Sequence, residues 1–270
     1  MAGVSTESLK KVEEVLGGNL AVSPDHLARE LFAIVDVLDQ DGGLRRGLTD
    51  TARTAQARAS IVKAIFSGKV SESAINVVSA AAQQRWSDER DLADALETSA
   101  VIAAVAGAES AGGAQGLEEV INDLLTFING VDASADVQRA LTDDRAQRGA
   151  KEKLALTLAG HPDNTQSQLL IERVAVAPRG FTPARLAEKF ADQIVKRQQR
   201  SIARVSAAKP LSEAQIEKLR AGLSKAYGKE LKLDITIDPE LIGGLRVQVG
   251  DEVMDGTVQT RLHDLSRSVV

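Results

Sequence analysis

The chain is 270 residues long, 43% hydrophobic, 26% charged and only 3% aromatic, a composition for roughly two or three soluble domains with close-packed helical cores of Ala, Leu, Val and Ile. A formal net charge of −5 with no evident basic face counts against a nucleic-acid partner, which needs a cationic footprint to neutralise phosphates. There is no cysteine, so disulfides, zinc–thiolate sites and a thiol nucleophile are excluded.

The N-terminus, Met1-Ala2-Gly3-Val4-Ser5-Thr6-Glu7, has no basic segment leading into an apolar one and does not read as a signal peptide. Up to about Ala208 the pattern is helix after helix. Ser23-Pro24 is a start signal, because Ser can cap and Pro suits a first turn. Leu27, Leu31, Ile34, Val35 and Leu38 follow at helical spacing, and Asp41-Gly42-Gly43 ends that run. The small apolar run Ala100 to Ala108 falls short of the ~20 residues that span a membrane, so membrane association is expected only through partners. Thr182-Pro183 is a second start signal. Leu186, Phe190, Ile194, Ile202 and Val205 then form one broad stripe, closed by Lys209-Pro210.

An internal repeat runs through this helical region. Arg46-Gly47-Leu48-Thr49-Asp50 returns as Arg139-Ala140-Leu141-Thr142-Asp143, an offset of 93 residues from Leu48 to Leu141. The same offset pairs Leu27 with Val120, Leu31 with Leu124, Ile34 with Phe127, Ile61 with Leu154 and Val78 with Ile171. One residue later in register, Leu92-Ala93-Asp94 pairs with Leu186-Ala187-Glu188. The copies overlap: Asp88 to Glu109 ends the first and leads into the second, so one long helix is expected to serve two bundles.

After Pro210 the pattern changes. Ser212 and Gln215 form a capping-box signature ahead of Ile216, Leu219 and Leu223. Leu231, Leu233, Ile235 and Ile237 then alternate with polar residues, as do Leu245, Val247 and Val249; a tight turn at Gly250-Asp251 leads to a return strand over 252–255. Val258, Leu262, Leu265 and Val269 predict a final helix. The fold class is therefore mainly α with a small α+β C-terminal domain: tandem helical bundles, then helix, strand, β-hairpin and helix, with strands confined to about 230–256.

No constellation for covalent chemistry emerges. His26, His161 and His263 share no ligand spacing. Gly68-Lys69 lacks the flanking Gly and Ser/Thr of a phosphate loop, with Lys63 and Val70 in their places. The glycine pairs at 17–18, 42–43 and 112–113 read as loops, and no Gly-x-Ser-x-Gly elbow exists. Asp143-Asp144 reads as a solvated pair near a helix end, and Trp86 as a packing residue. No catalytic, cofactor-binding or metal residue is assigned, and no cofactor is expected.

The most specific segment is Leu233-Asp234-Ile235-Thr236-Ile237-Asp238-Pro239-Glu240-Leu241-Ile242-Gly243-Gly244-Leu245-Arg246-Val247-Gln248-Val249-Gly250-Asp251, continuing through Asp255-Gly256-Thr257-Val258 to Arg261-Leu262. It resembles the C-terminal signature of the ATP synthase delta subunit family, whose mitochondrial branch is the oligomycin-sensitivity-conferring protein: a strand, Asp-Pro, an Ile-Gly-Gly turn, a strand ending in Gly-Asp, then Asp-Gly-(Ser/Thr)-Val before a helix with Arg-Leu. Ala207 to Gln215 resembles that family's entry to the domain. The Gly243-Gly244 pair suits a sharp reversal with close approach of the two flanking strands.

The resemblance extends back, with decreasing strength, to about Asp91, and implies three parts: an extra N-terminal bundle over 1–90 that shares the 88–109 helix, as in long actinobacterial forms; the family's helical bundle over 91–208; and the α+β domain over 209–270. It implies a non-enzymatic stator subunit of an F-type ATP synthase at the cytoplasmic face of the cell membrane. The bundle would receive the N-terminal helix of an alpha subunit and the C-terminal region the end of the b subunit, with b a separate chain. Residues 91–270 would carry most of that role, with the first bundle an added brace. Small side chains in an Ala-rich bundle leave room for a guest helix. The competing reading, a generic helical scaffold or adaptor, has no reason to carry the Ile-Gly-Gly signature.

Overall fold

The computed structural model describes residues 3–21, 23–200, 202–227, 231–238, 241, 244–249 and 252–255. It is mainly helical with one small sheet, as expected, and it divides into two compact units, Met1–Ile194 and Val195–Val270.

The first unit holds α1 (Gly3–Asn19), α2 (Pro24–Gln40), α3 (Gly42–Thr49), α4 (Ala55–Phe66), α5 (Glu72–Gln83), α6 (Glu89–Asp132), α7 (Ala135–Thr142), α8 (Arg148–Leu158), α9 (Thr165–Val176) and most of α10 (Pro183–Arg200). Side chains fix the starts of many of them by accepting from orphan amides. Asp41 accepts from Leu44, Thr54 from Ala57, Ser71 from Ala74 and Asn164 from Gln166 and Ser167. Asp88 and Asp91 form a reciprocal capping box on α6. Ser23 does not cap α2; Pro24 alone supplies the first-turn preference there. Asp41 thus marks a start as much as an end, since Gly42 and Gly43 open α3.

The helix bounds follow the sequence repeat. Shifted by 93 residues, the bounds of α3 and α5 become those of α7 and α9, and α4 overlays α8 to within one residue at its end. The same shift places α1 on 96–112 and α2 on 117–133, the two arms of α6. Those arms meet at Gly113, whose φ of 59° and ψ of −141° are non-helical. A Cβ at Gly116 would collide with the Ala108 carbonyl oxygen, so the chain folds back there. An unbroken helix would hold these residues about 12 Å apart at 1.5 Å per residue. One apolar core runs from Val12 and Leu16 of α1 to Phe190 and Ile194 of α10.

Arg58, only 4% exposed, donates to five carbonyls: those of Asp50 and Arg53 before α4, and of Ala82, Gln83 and Gln84 at the end of α5. A guanidinium there satisfies the orphan acceptors and the negative end of the helix dipole together. Trp86 packs against the core, its indole N–H donating to the Ala81 carbonyl at 2.9 Å.

The second unit contains β1 (Ile202–Ala207), α11 (Glu213–Tyr227), β2 (Lys232–Ile237), β3 (Leu245–Val249) and β4 (Glu252–Asp255), with sheet order β2-β1-β3-β4. β1 pairs parallel with β2 through the α11 crossover and antiparallel with β3; β3 and β4 form the expected hairpin. Ser212 and Gln215 make the expected reciprocal contacts at the start of α11.

Two expectations are corrected here. Residues 202–207 do not continue the preceding helical stripe; they form the strand at the centre of the sheet. Ala203, Val205 and Ala207 are buried while Arg204 is exposed, which is a period of two. Two of the three inward residues are alanine, so a search for large apolar residues saw only Ile202 and Val205, three apart. Strands are thus not confined to about 230–256. Nor do β2 and β3 approach each other closely about Gly243-Gly244, because β1 lies between them. Leu223 of α11 packs with Ala203, Val205, Leu231, Val247 and Val249. The predicted final helix, over 257–269, lies outside the described residues.

Candidate partner-binding site

The Ala-rich bundle seats a helix of this chain itself. α2 lies on α6 and along α9. Near the start of α2, Asp25 Oδ1 accepts from Gln166 Nε2 at 2.8 Å. A Cβ at Gly107 would collide with that carboxylate, so glycine permits the approach. Further along, Phe32 meets Phe190 of α10 at a centroid distance of 6.5 Å, and the Arg173 guanidinium lies 5.0 Å from the Phe32 centroid.

A buried ion cluster continues this interface. Glu97 of α6 is 1% exposed, with Arg179 at 3.2 Å, Lys189 at 3.7 Å and Arg173 at 3.8 Å. Arg173 also pairs with Asp36 of α2. Arg179 binds Asp39 of α2 through Nε at 2.6 Å and Nη2 at 3.3 Å, and reaches Asp94 of α6 at 2.9 Å. Burial lowers the Arg179 pKa, but Glu97, Asp39 and Asp94 outweigh it and leave it above the usual arginine value. Arg179 holds φ at 50°, a conformation costing about 1–3 kcal/mol that surrounding structure must enforce. Its charge pairs to α2 and α6 do so.

The repeat offset shows what differs in the first copy. Glu97, Ala100, Ala104 and Gly107 are buried, whereas their counterparts Val4, Glu7, Lys11 and Glu14 on α1 are exposed. Arg173 corresponds to Ala80. Glu172 of α9 feels the charge of Arg29 of α2, whereas α4 and α5 of the first copy border a groove of ≈ 410 Å³ with the end of α1. Val15, Ala59, Lys63, Ser79 and Ala80 are among its lining residues. Another cleft, of ≈ 490 Å³, is bordered by Val131, Gln138, Arg139, Thr142 and Pro183.

Glu172, the counterpart of Ser79, has its carboxyl raised above the usual glutamate range by burial and by Glu152, against Arg29 and Arg148. A raised carboxyl binds its proton more tightly in the folded chain, so its ionised form opposes folding at neutral pH and the penalty fades as pH falls through the folded pKa. Glu172→Gln is expected to raise the midpoint of thermal unfolding at pH 7 and to leave it unchanged near pH 4, below the unfolded glutamate value of about 4.3. Scanning calorimetry at both pH values checks this.

The residues scanned for chemistry are scattered. His26 pairs with Glu30 on α2 at 3.1 Å, His161 lies between α8 and α9, and His263 falls outside the described residues. Gly68 and Lys69 sit in the turn after α4. Among the described residues no group of three His, Asp or Glu side chains is placed to hold a metal ion. The sequence scan missed Glu97, Arg173 and Arg179. Its available signal was Glu97 amid the apolar residues of an Ala-rich helix, a carboxylate that must find a cation.

Residues 103–269 match the family described as ATP synthase delta (OSCP) subunit. The chain belongs to that family. Relatives align along nearly their whole length. The ATP synthase subunit delta of Kocuria rhizophila is 44% identical over 269 residues, covering 100% of this chain and 99% of its own. That of Renibacterium salmoninarum is 46% identical over 271 residues, with the same coverage. That of Streptomyces coelicolor is 36% identical over 270 residues, covering 99% and 97%. Members of this family are structural, stator components of the ATP synthase peripheral stalk. The full-length matches include the first repeat, which precedes the family's matched region. No helix among the described residues is long and apolar enough to cross a membrane.

Proposed function

We propose that this chain ties the catalytic head of an F-type ATP synthase to its peripheral stalk at the cytoplasmic face of the cell membrane. The helical unit holds the N-terminal helix of an alpha subunit, and the C-terminal unit holds the end of the b subunit. The observation that carries this reading is the family match over residues 103–269, together with full-length relatives. The helical unit also suits the task, because it already seats one amphipathic helix, its own α2, on a face of small residues. Two contacts on one adaptor reinforce each other through effective concentration, so each can be modest while the joint hold resists rotor torque. The coincident helix bounds at the 93-residue offset support a duplicated bundle in which the N-terminal arm of α6 serves both copies.

The test is reconstitution. Membranes stripped of the head and of this chain, then supplied with head alone, are expected to bind it poorly and make little ATP from a proton gradient. Adding the chain should restore both. Equal head binding and synthesis without it would remove the stator role.

A further inference from the structure

The two copies of the repeat differ where their second helices end. In the first copy two guanidiniums hold the end of α2. Arg45 Nη1 donates to the Leu38 carbonyl at 2.9 Å and its Nη2 to Glu89 at 3.2 Å, while Arg179 binds Asp39 at 2.6 Å. The 93-residue offset carries Leu38 to Val131, Asp39 to Asp132 and Arg45 to Gln138. The first residues of α6 and α10 correspond one residue later, which carries Glu89 to Pro183. The acceptors at the helix end are thus kept in the second copy and both cations are gone. Gln138 and Pro183 cannot form the Arg45–Glu89 bridge, and among the described residues Asp132 pairs with no cation. These four positions, Val131, Asp132, Gln138 and Pro183, border the cleft of ≈ 490 Å³. The other charge on its wall, Arg139, is paired with Asp136, and Thr182 is used in capping α10, where it accepts from the Arg185 amide. What is left unmatched at the cleft is the Asp132 carboxylate, beside the end of α6 with the negative pole of its helix dipole. A guanidinium suits that place, because its planar fork bonds a carboxylate and a carbonyl together, which a lysine ammonium does as a point charge only.

We propose that this cleft between α6, α7 and α10 seats one arginine side chain of a neighbouring subunit, which takes the part that Arg45 and Arg179 play in the first copy. The internal repeat identifies the ligand: the same acceptors, one copy earlier, are met by guanidiniums of this chain. That a neighbouring subunit supplies the arginine rests on the stator reading above; the cleft's preference for a guanidinium does not.

The probe is N-acetyl-arginine amide, titrated into the full-length protein and followed by NMR. It is expected to shift the backbone amide resonances of Ala135, Gln138, Thr142 and Ala184 saturably, with a Kd on the order of a millimolar, as one small contact gives. N-acetyl-citrulline amide, of the same shape but uncharged, should leave them in place, and N-acetyl-lysine amide should bind at least about threefold more weakly. Asp132→Asn is expected to weaken the arginine amide by a similar factor of about three or more. The double variant Gln138→Arg/Pro183→Glu rebuilds the first copy's bridge across the cleft and should abolish the shifts. Its thermal midpoint should be no lower than the parent's, which separates a filled cleft from a damaged fold. In the membrane reconstitution, the concentration of double variant needed to rebind the head should rise about tenfold, the loss of one charge-assisted contact. Shifts that persist in the double variant, or an equal response to the arginine and lysine amides, would overturn the site. Parental rebinding by both Asp132→Asn and the double variant would reject the partner's arginine while leaving the stator role intact. If the parent chain itself restores no head binding, the stator reading fails and the partner falls with it, whether or not the cleft takes the amide.

Discussion

Deleting residues 1–84 is expected to unfold much of the helical unit that remains, not to leave an intact second repeat. Alpha-helix α2 is the reason. Leu27, Leu31, Phe32, Ile34, Val35 and Leu38 are each at most 4% exposed, and burying side chains of this size stabilises by about 1.5–3 kcal/mol apiece. The sum is roughly 9–18 kcal/mol on that scale, against about 5–15 kcal/mol for the net stability of a whole domain. Even half of it, allowing for contacts within the first repeat, rivals what a domain can lose. The deletion also strips Phe32 from Phe190, and Asp36 and Asp39 from Arg173 and Arg179. A circular-dichroism melt of residues 85–270 should show a broadened transition at a much lower temperature than the full chain. A sharp transition at the parental midpoint would mean that the first repeat is the separable brace implied by the family resemblance.

That outcome bears on what a sequence discloses. The repeat was readable because Arg46 to Asp50 and Arg139 to Asp143 share short polar and apolar identities in one register, and the bounds of α3 and α7 repeat at the same offset. The β2 and β3 strands were readable because Leu, Ile and Val alternate with polar residues, and β4 as the return strand after Gly250-Asp251. β1 was not, since two of its inward residues are alanine, which sheet centres and helices accept alike. The fold-back at Gly113 was half visible: Gly112-Gly113 read as a loop between helical patterns, and the structure breaks at one residue. The packing of the first copy on the second was not visible. Periodicity reports which face of a helix is apolar, but not which other helix covers it. The small residues of α6 marked a face for close packing, and nothing local says that α2 of the same chain covers it.

Replacing Glu97 is expected to be the most damaging single substitution among the charged residues discussed. Its carboxylate is 1% exposed and serves three cations: Arg179 at 3.2 Å, Lys189 at 3.7 Å and Arg173 at 3.8 Å. The arginine side chains are themselves 4% and 3% exposed, so water cannot take over for the missing charge. Surface pairs contribute about 0–1 kcal/mol, but removing one partner from a buried cluster costs about 3–5 kcal/mol, because the two buried guanidiniums lose an anion that water cannot replace. Glu97→Ala should therefore lower the unfolding midpoint by roughly 6–20 °C for a unit of this size. The loss should change little between low and high salt, since buried charges are poorly screened. Val4, the counterpart of Glu97 on α1, is 56% exposed, and Val4→Ala is expected to change stability by less than about 0.5 kcal/mol, as surface substitutions do. Urea titrations of the two variants separate the cases. A loss below about 1 kcal/mol at Glu97 would place the cluster in the surface-pair regime, and the fastening of α2 would then rest on its apolar face alone.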